Sequence, residues 1–193
     1  MPQALPLAAD SQDSQLLRRV AQRDKRAFEE LYNAYHRRLS RFLLRLAPRY
    51  EFAEEVINDT FWVVWQKAGD FRGASRVSTW IMGIAYRRAL RGLRDERQHG
   101  GSRHEQIQDD TLSNDELGEP AETNDWIAQA LRTLPDEQRI ALELAYFLGH
   151  SCEEIAAITE CPVSSVKARM YHAREKLRTI LPALGGQPPM VSP

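Results

Sequence analysis

The sequence contains few cysteines and no apolar segment long enough to cross a membrane. Only two cysteines occur among 193 residues, which excludes a disulfide-rich extracellular scaffold. No run approaches the roughly 18 consecutive apolar residues of a transmembrane helix. Residues 1–15 also lack the basic start and apolar centre of a secretory signal peptide. We therefore expect a cytoplasmic protein that is not inserted in a membrane.

Patterns typical of catalysis and metal binding are also missing. We find no paired carboxylates, phosphate-binding loop or nucleophile-base set, and we therefore reject an enzyme and expect no cofactor. His150, Cys152 and Cys161 lie near one another in the sequence. Their spacing matches no standard zinc pattern, and a fourth ligand is missing. We expect no metal site, and the sequence leaves open a redox role for the two thiols.

No strand-like alternation appears, and helical periodicity takes its place. From Phe28 to Leu46, apolar residues recur at intervals of three and four, and Pro48 ends the pattern. Further helices are predicted at about residues 16–20, 51–67, 77–95, 126–134, 136–148, 152–159 and 163–178. The predicted fold class is all-α.

The net charge of −1 results from the cancellation of segments with opposite charge. Residues 71–97 contain seven arginines against two acidic residues, and residues 163–178 contain five basic residues against one. Residues 98–125 contain eight acidic residues against one arginine, with little apolar content. The predicted layout is a flexible tail (1–13), a helical domain (14–97), a flexible acidic linker (98–122), a second helical domain (123–181) and a flexible tail (182–193).

The second domain contains a helix-turn-helix pattern between His150 and Arg178. Ser151 and Glu154 form a capping-box sequence, and Pro162 marks the turn before the second helix. Val166, Met170, Ala173 and Leu177 form the apolar stripe of that helix. Its opposite face presents short hydroxyls, cations and one aromatic ring, a composition that suits a DNA groove. The alternative is a solvated helix pair with no DNA partner.

A stripe of arginines marks the helix predicted at residues 77–95. Arg87, Arg91 and Arg94 lie between two apolar edges, beside Trp80. Guanidinium groups neutralise phosphate and aromatic rings stack on unpaired bases, so we favour a nucleic-acid strand as the ligand of this helix. A solvated helix face is the alternative, but such a face would rarely be entirely cationic.

Two tryptophans distinguish the helix predicted at residues 51–67. Trp62 and Trp65 fall outside its core stripe, next to Glu54, Glu55 and Asp59. Exposed tryptophan beside carboxylates is typical of a protein-binding face. The pattern alone fits equally well with a neighbouring helix that covers both indoles.

Taken together, these segments resemble a known family. The first half contains AFEELYNAYHRRLSRFL, AEEVINDTFWVVWQKAGDFRG and STWIMGIAYRRALRGLRDER, in that order. The second half contains LRTLPDEQRIALELAYFLGHSCEEIAAITECPVSSVKARMYHAREKLR. From about Leu16 to Leu181 the chain resembles a bacterial RNA polymerase sigma factor of the sigma-70 superfamily, of the extracytoplasmic-function (ECF) type.

The resemblance implies three sets of contact residues. The set implied for core polymerase binding is Glu54, Glu55, Asp59, Phe61, Trp62 and Trp65. The set implied for the promoter −10 element is Phe71, Arg72, Ser75, Arg76, Trp80, Tyr86, Arg87, Arg91 and Arg94. The set implied for the −35 element is Ser164, Ser165, Lys167, Arg169, Tyr171 and His172. The chain departs from the family pattern at Arg87, Ser164 and His172, which bears on base preference rather than on the general role.

The resemblance also implies a function and partners. The partners would be the clamp and flap regions of core RNA polymerase, promoter DNA and an anti-sigma factor, and the function would be transcription initiation in a stress or envelope response. One rival is a sigma mimic that sequesters an anti-sigma factor, but such a mimic has no need of cationic DNA-reading faces. An ordinary helix-turn-helix regulator is the other rival.

Overall fold

The computed structural model describes residues 7–99 and 129–184, and helices are the regular structure throughout these ranges. The N-terminal helices are α1 (Leu7–Ala21), α2 (Lys25–Leu46), α3 (Tyr50–Lys67) and α4 (Val77–His99), with a 3₁₀ turn at Ala68–Asp70. In the C-terminal half, a short helical segment at 129–132 is followed by α5 (Asp136–Tyr146), α6 (Cys152–Thr159) and α7 (Val163–Leu184). The all-α prediction is confirmed. No helix in the two described ranges has the length and apolarity needed to span a bilayer.

Local capping sets several of the helix boundaries. The Asp24 carboxylate accepts hydrogen bonds from the backbone N–H groups of Arg26 and Ala27, at 2.9 and 3.2 Å, and so starts α2. The capping box between Ser151 and Glu154 starts α6, as the sequence predicts. Glu160 ends α6 with a left-handed φ of 53°.

Three helices extend into segments that were predicted to be tails or linker. α1 begins at Leu7, so residues 7–13 are helical rather than part of a flexible tail. The Tyr35 hydroxyl donates a hydrogen bond to the Asp13 carboxylate, which ties this first part of α1 to α2. α4 continues to His99 and α7 to Leu184. Most of the predicted acidic linker, and residues 185–193 of the last tail, lie outside the described residues.

Each half of the chain has an apolar core built from predicted stripes. The buried face of α2 packs against α1 and α3 and consists of Ala27, Leu31, Tyr35, Leu39, Phe42 and Leu43. In the C-terminal half, Val166, Met170 and Ala173 of α7 are buried with Ile155 and Ile158 of α6. Burying a side chain of this size contributes roughly 1.5–3 kcal/mol, so the two helices of the helix-turn-helix are held together by this contact.

The two halves also pack against each other, with α6 on α4 and α5 near α2. On the α2 side, the Arg45 guanidinium lies 3.6 Å from the centre of the Phe147 ring. Among the described residues of the C-terminal half, the ionisable side chains of Glu143 and His150 are buried. Burial raises the pKa of Glu143 to about 7, against the attraction of Arg45 and Arg139. Burial lowers the pKa of His150 to about 4, so its imidazole is neutral at physiological pH.

The buried carboxyl of Glu143 predicts a pH-dependent stability. Its pKa in the folded state is about 7, above its ordinary value of 4.5. The stabilisation that it contributes is therefore complete below pH 4.5 and is lost as the pH rises through 7. We expect Glu143→Gln, which does not titrate, to raise the free energy of unfolding by on the order of 2 kcal/mol at alkaline pH, because one pKa unit corresponds to about 1.4 kcal/mol.

Denaturant unfolding of both proteins at about pH 5 and pH 8 measures this difference. The gap between variant and wild type should be much smaller at the acidic pH, where the wild-type carboxyl is protonated. An equal gap at both pH values would contradict the assignment. Glu29→Gln, which removes a carboxylate at an exposed position of α2, is the control.

Candidate functional site

The arginine stripe predicted for α4 is on the surface of the structure. Arg87, Arg91 and Arg94 are all exposed along one side of the helix. With Tyr86 they line a cleft of about 580 Å³ whose other wall is the end of α6 at Thr159 and Glu160. Tyr86 is half-buried, and desolvation raises the pKa of its phenol. The cleft therefore presents several fixed positive charges beside a neutral aromatic ring.

The loop before α4 places a pair of aromatic rings beside this stripe. The rings of Phe71 and Trp80 are both half-buried, with their centroids 5.3 Å apart. Arg72 and Ser75 are exposed in the intervening loop. The loop turns at Gly73, whose φ of 71° is a conformation that glycine adopts without strain. All nine residues of the predicted −10 set thus lie in this loop or on α4.

Arg76 and Arg87 of that set are engaged by carboxylates of the C-terminal half. Arg76 Nε lies 3.3 Å from Glu154 Oε1, and Arg87 Nη1 donates to Glu160 Oε1 at 3.1 Å. Thr79 Oγ1, one turn into α4, also donates to Glu154 Oε1 at 2.9 Å. These partners could not be predicted from the sequence, because the pairing of α4 with α6 has no local sequence pattern.

The predicted −35 set lies on α7, and most of its side chains are available to a ligand. Ser164, Lys167, Tyr171 and His172 are exposed, while Ser165 is half-buried. The Tyr171 and His172 rings are in edge contact, with centroids 5.5 Å apart. The helix therefore presents a hydroxyl, a cation and two rings away from the α6 contact, as its predicted stripe requires.

Arg169 differs from its neighbours on α7 because its guanidinium is bound within the C-terminal half. Nη2 lies 2.7 Å from a Glu137 carboxylate oxygen of α5, and Nη1 donates to Cys161 Sγ at 3.2 Å. Cys161 is half-buried in the turn and also lies 3.2 Å from Thr159 Oγ1. Arg169 therefore cross-links the turn to α5 in this conformation.

The tryptophan face of α3 is partly open and partly packed. Trp62 is 60% exposed, whereas Trp65 is half-buried with its ring centroid 5.2 Å from that of Phe28. Phe61 is only 1% exposed, so of the predicted contact residues it presents almost no surface of its own. It turns inward and contacts the rings of Phe28 and Tyr32. It forms the floor of the face.

Side chains of α2, which were not among the predicted contact residues, complete this face. A groove of about 500 Å³ between α2 and α3 is lined by Lys25, Phe28, Tyr32, Asn58, Phe61, Trp62 and Trp65. The i,i+4 spacing of Phe28 and Tyr32 placed both on one face of α2 but did not say which neighbour they meet.

The carboxylates predicted beside the tryptophans differ in their surroundings. Glu54 is half-buried and pairs with His36, at 3.0 Å. Asp59 is exposed and lies 3.4 Å from Arg88 Nη1 of α4. Glu55 is exposed. The face therefore combines an apolar groove with acidic groups on α3.

Comparison with known proteins identifies the family. The family model for Sigma-70 region 2 matches residues 31–99, and the model for Sigma-70, region 4 matches residues 124–177. The RNA polymerase sigma-H factor of Pseudomonas aeruginosa is 32% identical over 189 residues, which cover 92% of this chain and 98% of that protein. The chain belongs to the sigma-70 family. It is therefore a sigma factor, and it binds core RNA polymerase and promoter DNA to direct transcription initiation.

Two further relatives support the ECF type. The ECF RNA polymerase sigma factor RpoE of Cereibacter sphaeroides is 32% identical over 157 residues, which cover 81% of this chain and 87% of that protein. The solved structure of the sigma factor RpoE from Bartonella quintana, in complex with the anti-sigma factor NepR, has a TM-score of 0.65 and 25% identity. That comparison covers 80% of this sigma factor and 96% of the other chain.

The contacts of Arg169 predict that it contributes to stability, unlike its neighbour Lys167. We expect Arg169→Ala to lower the free energy of unfolding by about 1 kcal/mol, because the variant loses a partly exposed ion pair and the link to Cys161. Lys167→Ala, at an exposed position of the same helix, should stay within about 0.5 kcal/mol of wild type. Denaturant unfolding measures both values, and equal stabilities of the two variants would contradict this structural role.

Proposed function

We propose that three surfaces of this sigma factor divide the work of initiation: α3 docks core polymerase, α4 captures the −10 strand and α7 reads the −35 duplex. The observation that carries the proposal is the exposed row of Arg87, Arg91 and Arg94 beside the Phe71–Trp80 ring pair. On this assignment residues 14–97 act as one domain and residues 123–181 as the second, with the acidic segment 98–122 joining them.

The −10 role follows from what an unpaired strand offers to a protein. Its phosphates attract the guanidinium groups of α4, and its bases offer faces that stack on aromatic rings. Extracting a base from a duplex costs a few kcal/mol, so the polymerase must contribute binding energy. The proposed contacts are Phe71, Arg72, Ser75, Arg76, Trp80, Tyr86, Arg87, Arg91 and Arg94.

The −35 role rests on the exposed face of α7. Short side chains at Ser164 and Ser165 allow the start of the helix to approach the DNA backbone, while Lys167, Tyr171 and His172 extend further. Arg169 joins this set by exchanging its Glu137 partner for DNA.

The docking role rests on the groove between α2 and α3. A tryptophan with most of its surface exposed is a frequent hot spot of protein interfaces, and Trp62 sits at the edge of an apolar groove with carboxylates nearby. We assign this face to the polymerase clamp and the second domain to the flap. The protein acts in the cytoplasm by delivery rather than by catalysis, in a stress or envelope response controlled by an anti-sigma factor.

Substitution of Trp62 tests the docking role. We expect Trp62→Ala to weaken binding to core polymerase by about 30-fold, because loss of a hot-spot tryptophan costs about 2 kcal/mol or more. Fluorescence titration of labelled sigma factor with core enzyme measures the affinity. Tyr50→Ala, another exposed aromatic of α3, is the matched control and should bind normally. If both variants bind as tightly as wild type, the clamp does not dock on this face.

Run-off transcription tests the two DNA roles. With saturating core enzyme, Arg91→Ala and Lys167→Ala should each reduce the transcript from a mapped promoter by about tenfold, whereas Arg37→Ala, an exposed cation of α2, should not. Loss of Lys167 should also lower the salt dependence of promoter binding by about one unit of slope. Normal transcription by either variant would remove that residue from the proposed interface.

A further inference from the structure

The contact between α4 and α6 uses side chains that the proposed −10 site needs. We propose that Glu154 and Glu160 form a carboxylate clasp, which closes the helix-turn-helix onto α4 in the unbound sigma factor and masks Arg76 and Arg87 from DNA. The masking part of this inference rests on the −10 role proposed above.

Glu154 is the anchored end of the clasp. Its side chain is only 14% exposed. One carboxylate oxygen accepts from Thr79 Oγ1 and faces Arg76 Nε, while the other accepts from the backbone N–H of Ser151 at 2.8 Å. Hydrogen bonds to an ionised group are about twice as strong as neutral ones, and more so away from water. A single side chain therefore caps α6 and attaches it to the start of α4.

Glu160 is the weak end of the clasp. Glu160 is the residue with left-handed backbone conformation that ends α6. Its side chain is 66% exposed, and that of its partner Arg87 is 45% exposed. An ion pair with this exposure contributes less than about 1 kcal/mol. A phosphate group, which also binds arginine, can therefore displace it. Together the two contacts hold α6 against α4, one at Arg76 just before α4 begins and the other at Arg87 within it.

The closed arrangement is incompatible with reading a promoter at two points. A DNA strand bound along α4 would be repelled by the Glu160 carboxylate at Arg87. It would also clash with the end of α6 that forms the other wall of the cleft. Duplex DNA advances about 34 Å per turn, whereas α6 is in direct contact with α4. The helix-turn-helix must therefore leave α4 before the two halves can occupy separate promoter elements. The contact between Arg45 and Phe147 must break in the same opening.

The first experiment removes the two carboxylates. Glu154→Gln combined with Glu160→Gln keeps the capping box, because glutamine serves at that position as glutamate does. We expect the full-length double variant to bind labelled single-stranded DNA about tenfold more tightly than wild type, without polymerase, in a fluorescence anisotropy titration. The control is Glu153→Gln with Glu29→Gln, which removes the same charge at exposed positions of α6 and α2. Equal affinities of the double variant and the control would overturn the masking.

The second experiment tests the clasp without DNA, by small-angle X-ray scattering of the full-length chain. A compact chain of this length has a radius of gyration of about 16 Å. In a Glu154→Gln background, which has lost the anchored carboxylate, we expect Glu160→Arg, which places two cations together, to increase the radius by a few Å. Adding Arg87→Glu in the same background restores an opposite pair and should return the radius to that of Glu154→Gln alone. Glu153→Arg in place of Glu160→Arg should leave it unchanged. An unchanged radius with Glu160→Arg, or no recovery in the swapped pair, would overturn the clasp.

The two inferences fail in different assays. If the −10 assignment is wrong, Arg91→Ala transcribes normally, and the masking fails with it even if the scattering experiment shows a closed chain. If only the clasp is wrong, Arg91→Ala loses transcription while the charge swap leaves the radius unchanged.

Discussion

The carboxylate of Glu154 links the local structure of the helix-turn-helix to the arrangement of the two halves. It satisfies a backbone N–H at the start of α6, and at the same time it binds Thr79 of α4 and Arg76 of the preceding loop. A carboxylate with little exposure to water needs hydrogen-bond partners, and here the partners come from both halves of the chain. The orientation of α6, and with it the position of α7, therefore depends on α4.

The sequence predicted what local patterns determine. Periodicity gave the helices, and the Ser151–Glu154 pair, three residues apart, gave the start of α6. The same reasoning could not find the contact of Thr79 with Glu154, because 75 residues separate them and no repeat connects them. The surroundings of Phe61 also depend on a distant segment of the chain. Periodicity places Trp62 outside the core stripe of α3, but it does not show that Phe61 is buried against Phe28 and Tyr32 of α2.

The surfaces of the protein illustrate two opposing electrostatic requirements. A promoter reader needs exposed cations, and α4 and α7 provide them. The whole chain nevertheless has a net charge of only −1, so non-specific attraction to nucleic acid, which depends on accessible positive charge, is restrained. Single side chains show the same effect. Glutamates of the C-terminal half pair with Arg76, Arg87 and Arg169 and so reduce the positive charge that these arginines offer to nucleic acid.

The left-handed conformation of Glu160 restricts how this turn can vary. Glycine, or asparagine, fits a φ of 53° with less strain than glutamate does, and the strain is worth roughly 1–2 kcal/mol. A glycine at position 160 would relieve the backbone strain of the turn, but it would provide no carboxylate to pair with Arg87. The residue that would make this turn most stable is thus not the residue that lets the turn contact α4, and this chain has the contacting residue. The chain therefore keeps a strained backbone at this position, and the strained residue places a negative charge next to Arg87.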